Sequence, residues 1–493
     1  MFGADFNKRK LLGLILGPLL FVVVLLFFKP QELSHEGVAI LAGTLWIATW
    51  WITEAIPIPA TSLLPIILFP LTGALPIADT TASYGHKMVF LYMGGFMIAL
   101  AMEKWSLHKR IALNIIKMVG TNLRSVIFGF MISTALLSMW ISNTATTMMM
   151  LPIALAVARQ FGDFFYMEAG EIARVEERKF GLALMLGIAY AASIGGMATL
   201  IGTPTNAIFS AVVKEYYNAE VSFSDWMKFG LPLSVVLLVI CWIYLTMVAF
   251  KPTFKKFTQV SVTIQNELKK LGKIKKEERY IIIVFGLTAL AWITRSFVLE
   301  RIIPTIDDTI IAITGALVLF LIPAGENDTV LDWSTARKLP WGILLLFGGG
   351  LAIAAGFSKT GLAAYIGSQI QYMSGTKFVV ILIVVSTTVN FLTEITSNVA
   401  TASILLPIMA SISAALGFHP YGLMISSCLA ASCAFMLPVA TPPNAIVFSS
   451  GYIKIPDMAR TGFWMNIISI VVIVITMRYF LPLVWDIDLL SIP

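Results

Sequence analysis

Charge is scarce in this chain. Only 12% of its 493 residues are charged, about half the fraction usual in a soluble domain, while 58% are hydrophobic. A water-soluble globular protein is thereby excluded. Cysteine is nearly absent. Cys241, Cys428 and Cys433 form no CxxC pair and all lie in apolar stretches, which argues for buried thiols and against a disulfide framework or thiolate metal site. The four histidines, His35, His86, His108 and His419, sit near loops and suggest no proton relay. The chain shows no P-loop signature, which speaks against an ATP-driven pump. No HExxH or Ser/His/Asp constellation points to an enzyme, and no organic cofactor is called for. The net charge of +7 is strung along short loops, a mark of membrane orientation rather than of nucleic-acid binding.

What the chain has instead is apolar length. Stretches able to cross a hydrocarbon core of roughly 30 Å fall near 11–28, 37–56, 60–74, 87–104, 180–213, 226–250, 280–298, 307–323, 340–357, 420–450 and 462–485. The first follows Asn7-Lys8-Arg9-Lys10 like a signal peptide, but no small-x-small cleavage site follows it, so a retained helix is expected. Two more apolar stretches, 125–158 and 378–415, are too long for one helix and polar at their centres. Each reads as a re-entrant hairpin. With the N-terminus inside, the inner loops 1–10, 103–124, 158–180, 251–279, 325–338 and 451–461 hold 25 of the 34 lysines and arginines. The positive-inside rule therefore supports a cytoplasmic N-terminus and, after eleven crossings, an outer C-terminus. The expectation is an all-α polytopic protein of the plasma membrane, in a prokaryote the inner membrane, with about 11 transmembrane helices and two re-entrant hairpins.

The two polar centres are copies of each other. Over 139–152 against 394–407, six of fourteen positions are identical at an offset of 255, including Ser142-Asn143 and Ser397-Asn398. A second pair, Gly202-Thr203-Pro204-Thr205-Asn206-Ala207-Ile208 and Ala440-Thr441-Pro442-Pro443-Asn444-Ala445-Ile446, shares five of seven. Met93-Gly94-Gly95-Phe96 likewise matches Phe347-Gly348-Gly349-Gly350. Each half, 37–250 and 280–485, holds five crossings and one hairpin. An odd number inverts the second copy relative to the first. Helix-breaking polar sequence at membrane depth is tolerated only in protein or against a water-filled cavity. Its recurrence in two halves points to a transporter's binding site.

Segments 125–158, 180–213 and 378–453 contain no lysine or arginine, and Glu394 is their one acid. An anion bound among them must rely on helix N-termini, each worth roughly half a positive charge. Unwound carbonyls and C-terminal ends suit Na⁺. Membrane serines and threonines often only bond a backbone carbonyl, but repetition, an adjacent asparagine and a nearby break set the Ser-Asn tips apart. Thr146 and Thr401 suit packing and site support equally well. Glu394 has Met139 as its counterpart, so support of the second tip is expected of it. Glu54, beside prolines, reads as interfacial.

Trp50-Trp51-Ile52-Thr53-Glu54-Ala55-Ile56-Pro57, together with the paired Ser-Asn and Thr-Pro-x-Asn motifs, resembles the divalent-anion/sodium symporter (INDY-type) family over nearly the whole chain. The resemblance implies secondary active transport of C4–C6 di- or tricarboxylates by a homodimer, coupled to Na⁺ symport or to carboxylate exchange. It also implies elevator-type scaffold and transport domains. The boundaries would be 1–121 and 280–376 for the scaffold, 122–250 and 377–493 for the transport domain, and 251–279 for a cytoplasmic connector. By motif, Ser142, Asn143, Thr144, Thr203, Pro204, Ser397, Asn398, Val399, Thr441 and Pro442 would meet the substrate. One sodium would use Ser138, Ser142, Asn143 and Gly202, the other Thr393, Thr396, Asn398 and Ala440. Val399 departs from the family's usual threonine, which bears on the preferred carboxylate. An anion channel could use the same helix ends but would show no counterflow, and a membrane-embedded enzyme is the remaining alternative.

Overall fold

Proline and glycine set the helix ends, and the long Leu-, Ile- and Val-rich runs between them become helices because a bilayer requires internally bonded backbone. The computed structural model describes residues 8–120, 122–169, 171–251, 259–325, 328–370 and 375–491. Among these there is no strand, only an isolated bridge between Pro323 and Thr329. Among the described residues, nine helices are long and apolar enough to span a membrane: Lys8–Phe27, His35–Thr53, Ile77–Lys104, Arg174–Gly196, Phe223–Ala249, Lys276–Ile302, Trp341–Lys359, Asn398–Leu416 and Ile455–Trp485.

Two expected crossings take other forms. The 60–74 stretch is two short helices, Ile58–Thr61 and Leu64–Leu71, interrupted at Ser62 and Leu63. Pro59, Pro65 and Pro70 each remove a backbone donor there. The 307–323 stretch is a helix of 14 residues, Asp308–Leu321, which rises only about 21 Å. The 420–450 stretch divides, as its Thr-Pro-x-Asn motif leads one to expect, into Pro420–Ser432 and Pro442–Phe448.

Two inner loops are helical instead. Within 103–124 lies the amphipathic helix Leu107–Val119, which buries Leu107, Ala112, Leu113 and Ile116. It packs on the first arm of the first hairpin, and Leu362–Ile370 occupies the corresponding place before the second hairpin. Within 158–180 the hairpin helix Asn143–Ala169 and the next helix, Glu171–Gly196, run far beyond the apolar stretch. The glutamates, arginines and alanines there are good helix formers. The connector 251–279 forms helix Gln259–Leu271, with Val260 and Ile264 buried, and its residues 252–258 lie outside the described set.

Both hairpins are present. The first is Leu123–Ser138 and Asn143–Ala169, the second Phe378–Thr393 and Asn398–Leu416. Broken helices follow: Glu171–Gly196 then Pro204–Tyr217, and Pro420–Ser432 then Pro442–Phe448. Element order is thus the same in each half. The core is centred on 174–196, whose most apolar 18 residues are 94% buried, whereas those of Lys8–Phe27 are 11% buried. A helix apolar all round with so little cover suits lipid.

Candidate functional site

Each break begins with the same local chemistry. Pro204 and Pro442 stand at the first helical position, where a missing N–H costs nothing, and Thr203 and Thr441 before them are extended, as a residue preceding proline must be. That leaves carbonyls at and beside the unwound stretches 197–203 and 433–441 without i+4 helical partners. Asn206 and Asn444 meet them. Asn206 Nδ2 donates to the carbonyls of Gly196 (3.2 Å) and Thr199 (2.8 Å), while Asn444 Nδ2 donates to those of Ala434 (3.0 Å) and Leu437 (3.0 Å). Gly196 and Ala434, like Thr199 and Leu437, stand at the 238-residue offset of the two asparagines. The same brace is built twice. Sequence reasoning had the asparagines inside a doubled motif but named only the Thr-Pro pairs. The signal was there.

The hairpin tips are tied in the same paired way. The Ser138 hydroxyl lies 2.5 Å from Asn143 Oδ1 and 2.8 Å from the Ala192 carbonyl. The Thr393 hydroxyl lies 2.8 Å from Asn398 Oδ1 and 3.1 Å from the Ala431 carbonyl. Gly196 and Gly202 sit so close that a Cβ on Gly202 would fall 2.4 Å from the Gly196 carbonyl oxygen, and one on Gly196 would fall 2.8 Å from Asn143 Oδ1. Hydroxyl, amide and carbonyl oxygens thus gather behind each tip. All-oxygen sets of this kind suit a hard cation such as Na⁺. Thr396 is engaged differently: its hydroxyl contacts the Leu392 carbonyl (2.9 Å) and Thr401 Oγ1 (2.6 Å). In the first half Ile141 replaces Thr396, and the Thr146 hydroxyl is buried without a partner.

In front of the tips lies a cavity of about 620 Å³. All ten expected substrate residues line it: Ser142, Asn143, Thr144, Thr203, Pro204, Ser397, Asn398, Val399, Thr441 and Pro442. Of the expected sodium residues, Gly202, Thr396 and Ala440 also line it, whereas Ser138 and Thr393 stand behind it. Helices Asn143–Ala169, Pro204–Tyr217 and Asn398–Leu416 start at the wall, each presenting N–H groups with no intrahelical partner. Several side-chain donors there have no protein acceptor. Asn143 Nδ2 and Asn398 Nδ2 have none among the described residues, nor do the hydroxyls of Thr144, Thr203 and Ser397. Each tip hydroxyl carries one proton and faces two oxygen acceptors, the Asn Oδ1 and a helix carbonyl.

Two charged groups at the cavity were not foreseen in these roles. Arg9, at the start of the first helix, donates through Nη2 to the Ile52 carbonyl and to the Ile395 carbonyl (3.2 Å) at the second tip. It lines the same cavity, as does Glu54, held in the left-handed region at φ 50° by the turn after Thr53. The core segments do lack lysine and arginine, but the cation arrives from a helix distant in sequence. Glu394, by contrast, does not line the cavity. Its carboxylate accepts from the backbone N–H groups of Phe435 (2.8 Å), Met436 (2.9 Å) and Leu437 (3.0 Å) and from Asn466 Nδ2 (2.7 Å). It therefore pins the second unwound stretch to the second hairpin, the supporting role expected of it. Tyr92 supplies a similar pin for the first stretch, its hydroxyl reaching the carbonyls of Leu200 (2.6 Å) and Thr203 (2.5 Å).

A family model described as the sodium:sulfate symporter transmembrane region matches residues 8–486. The sodium-dependent dicarboxylate transporter SdcS of Staphylococcus saprophyticus is 48% identical over 98% of this chain and 94% of its own. The protein of the same name from Staphylococcus aureus is 47% identical over the same shares. Among solved structures, the Alcanivorax borkumensis YdaH transporter aligns with a TM-score of 0.58 at 13% identity, over 90% of this chain and 99% of that one. Neisseria gonorrhoeae MtrF, titled as illuminating a class of antimetabolite efflux pumps, aligns at 0.56 and 15%, over 96% of each chain. At such identities these two likenesses concern the fold alone.

Proposed function

The chain belongs to the sodium:sulfate symporter family of multi-pass membrane proteins, and we propose that it carries C4–C6 dicarboxylates across the plasma membrane together with Na⁺. The observation that carries this reading is the set of unpaired amide and hydroxyl donors, on Asn143, Thr144, Thr203, Ser397 and Asn398, around one cavity at three helix N-termini. Carboxylates satisfy such donors and gain from the helix ends. The paired oxygen clusters behind the tips take the cations, with Ser138, Ser142, Asn143 and Gly202 serving one and Thr393, Thr396, Asn398 and Ala440 the other. Co-bound Na⁺ offsets a doubly charged anion in a core that has no lysine. The names of the staphylococcal relatives support both substrate class and coupling ion.

The two hairpins and two broken helices share one cavity, so they move together. In the proposed cycle, segments 122–250 and 377–493 rise and fall as an elevator against a scaffold of 1–121 and 280–376, within a homodimer of inverted repeats. With the N-terminus cytoplasmic, the Arg9–Glu54 edge of the cavity is its inner edge, because Lys8–Phe27 starts there. Uptake into proteoliposomes separates the couplings. Radiolabelled succinate accumulates under an inward Na⁺ gradient without internal carboxylate. Accumulation that needs internal carboxylate and ignores Na⁺ would replace symport by exchange.

A further inference from the structure

A second cavity, of about 990 Å³, takes no part in the transport site. It reaches the upper end of the roughly 300–1,000 Å³ usual for small-molecule sites. It lies between the N-terminal half of helix Glu171–Gly196, the π-helical turn Tyr244–Ala249 and the first turns of helix Ile455–Ile475. The π turn widens the helix there, since its bonds close from i to i+5, as Phe250 N to the Leu245 carbonyl does at 3.2 Å. Ile243, Val248 and Trp464 form an exposed apolar wall. The most apolar 18 residues of helices 223–249 and 455–485 are only 44% and 28% buried, so the wall faces the bilayer.

The rim is predominantly cationic. Arg178, Lys179 and Arg460 line it against a single acid, Asp457. Asp457 is taken by Arg178 (2.9 Å), and Lys179 pairs with Glu176 at 2.8 Å. Arg460 has no hydrogen-bond or ion-pair partner among the described residues. These cations belong to the basic loops 158–180 and 451–461, which the positive-inside rule puts at the cytoplasmic, anionic leaflet. An apolar trough under a cationic rim, with a tryptophan at the interface, matches an amphiphile whose head is a phosphate. A guanidinium fork binds phosphate in two places at once.

We propose that this cavity holds one anionic glycerophospholipid, its phosphate on Arg460 beside Lys179 and Arg178, and an acyl chain along Val248 and Trp464. A small free anion gains nothing from the apolar wall, and a zwitterionic lipid gains less from the rim. The purified full-length protein, delipidated and titrated with phosphatidylglycerol or phosphatidylcholine of equal chain length, tests this by native mass spectrometry. Loss of a charge-assisted contact is worth about tenfold in retention, so Arg460→Gln should lose phosphatidylglycerol by that factor. The triple variant R178Q/K179Q/R460Q should hold the two lipids equally. A brominated phosphatidylglycerol should quench the fluorescence that Trp464→Phe removes, while brominated phosphatidylcholine quenches it less. Undiminished phosphatidylglycerol retention by Arg460→Gln, or equal quenching by both lipids, would overturn the proposal. Displacement of the lipid by glycerol phosphate alone would overturn it in favour of a water-soluble ligand. If the triple variant does not fold, Arg460→Gln and the Trp464 signal decide.

Discussion

Asn143 and Asn398 hold matching positions at the two tips, each with Oδ1 contacted by a hydroxyl and Nδ2 left without an acceptor among the described residues. A hydrogen bond to a charged partner is worth about 1.5–3 kcal/mol. Asn143→Ala or Asn398→Ala should therefore weaken dicarboxylate binding roughly 10- to 150-fold. The loss compounds because the same amide oxygen belongs to the cation cluster. Uptake in reconstituted vesicles, with the amount inserted measured in parallel, reads this out. Robust uptake by the double variant would remove the site from the tips. Val399 marks where the tips differ, since the first has Thr144 there and both line the cavity. Val399→Thr restores a hydroxyl whose net value is about 0.5–1.5 kcal/mol, so relative affinities among succinate, malate, 2-oxoglutarate and citrate should shift about 2- to 12-fold without switching transport on or off. An unchanged inhibition ranking with unchanged ratios would mean that position 399 does not meet substrate. Residue identity was legible here because the motifs are doubled. Arg9 and Tyr92 were not, because each reaches the site from a helix that carries neither the Ser-Asn nor the Thr-Pro-x-Asn motif.

At the scale of elements, what the sequence disclosed and what it hid have separate physical causes. Hairpins and breaks were visible because proline, asparagine and hydroxyl side chains interrupt apolar runs at a fixed offset. Helix Leu107–Val119 was hidden because Lys109, Arg110 and Lys117 read as a solvated loop, although Leu107, Leu113 and Ile116 form an apolar face at helical spacing. The loop 218–222, between Pro204–Tyr217 and Phe223–Ile243, carries a further device. Glu220 pairs with Lys87 (2.5 Å) and with Lys214 (3.5 Å), and Phe223 N donates to Asp308 Oδ2 (2.9 Å). In the proposed cycle this latch joins moving and fixed bodies. Its pairs are partly exposed, so each is worth up to about 1 kcal/mol, and Glu220→Gln should change the maximal uptake rate by up to about fivefold. The Lys87 ammonium holds the Glu220 carboxyl below its usual range. A depressed carboxylate contributes above its unfolded pKa and is lost as pH falls through the folded value. The latch is therefore intact at neutral pH, and only strong acid should mimic Glu220→Gln. Equal rates for wild type, Glu220→Gln and Lys87→Met would show that no barrier crosses this contact.

For the whole molecule, glycines on two scaffold helices show how two bodies could slide. Gly94 abuts Ala312, and Gly349 abuts Ser62, both contacts inside the proposed scaffold. The glycines that follow face the other body: a Cβ on Gly95 would meet Ile201 Cδ1 at 3.3 Å, and one on Gly350 would meet Ser403 Cβ at 2.8 Å. Backbones without side chains leave two smooth tracks, one between Ile77–Lys104 and the first unwound stretch and one between Trp341–Lys359 and the second hairpin. A disulfide wants Cβ atoms about 3.5–4.5 Å apart, so Gly350→Cys with Ser403→Cys needs less than about 1 Å of adjustment to close. In proteoliposomes the reduced pair should transport, and oxidation should stop uptake until dithiothreitol restores it. Neither single variant should respond to the oxidant, since Cys241, Cys428 and Cys433 are all buried. Elevator motion requires these helices to pass each other, whereas a local gate at the tips does not. Full turnover with the cross-link verified would therefore reject the elevator and leave a gate formed by the hairpins alone.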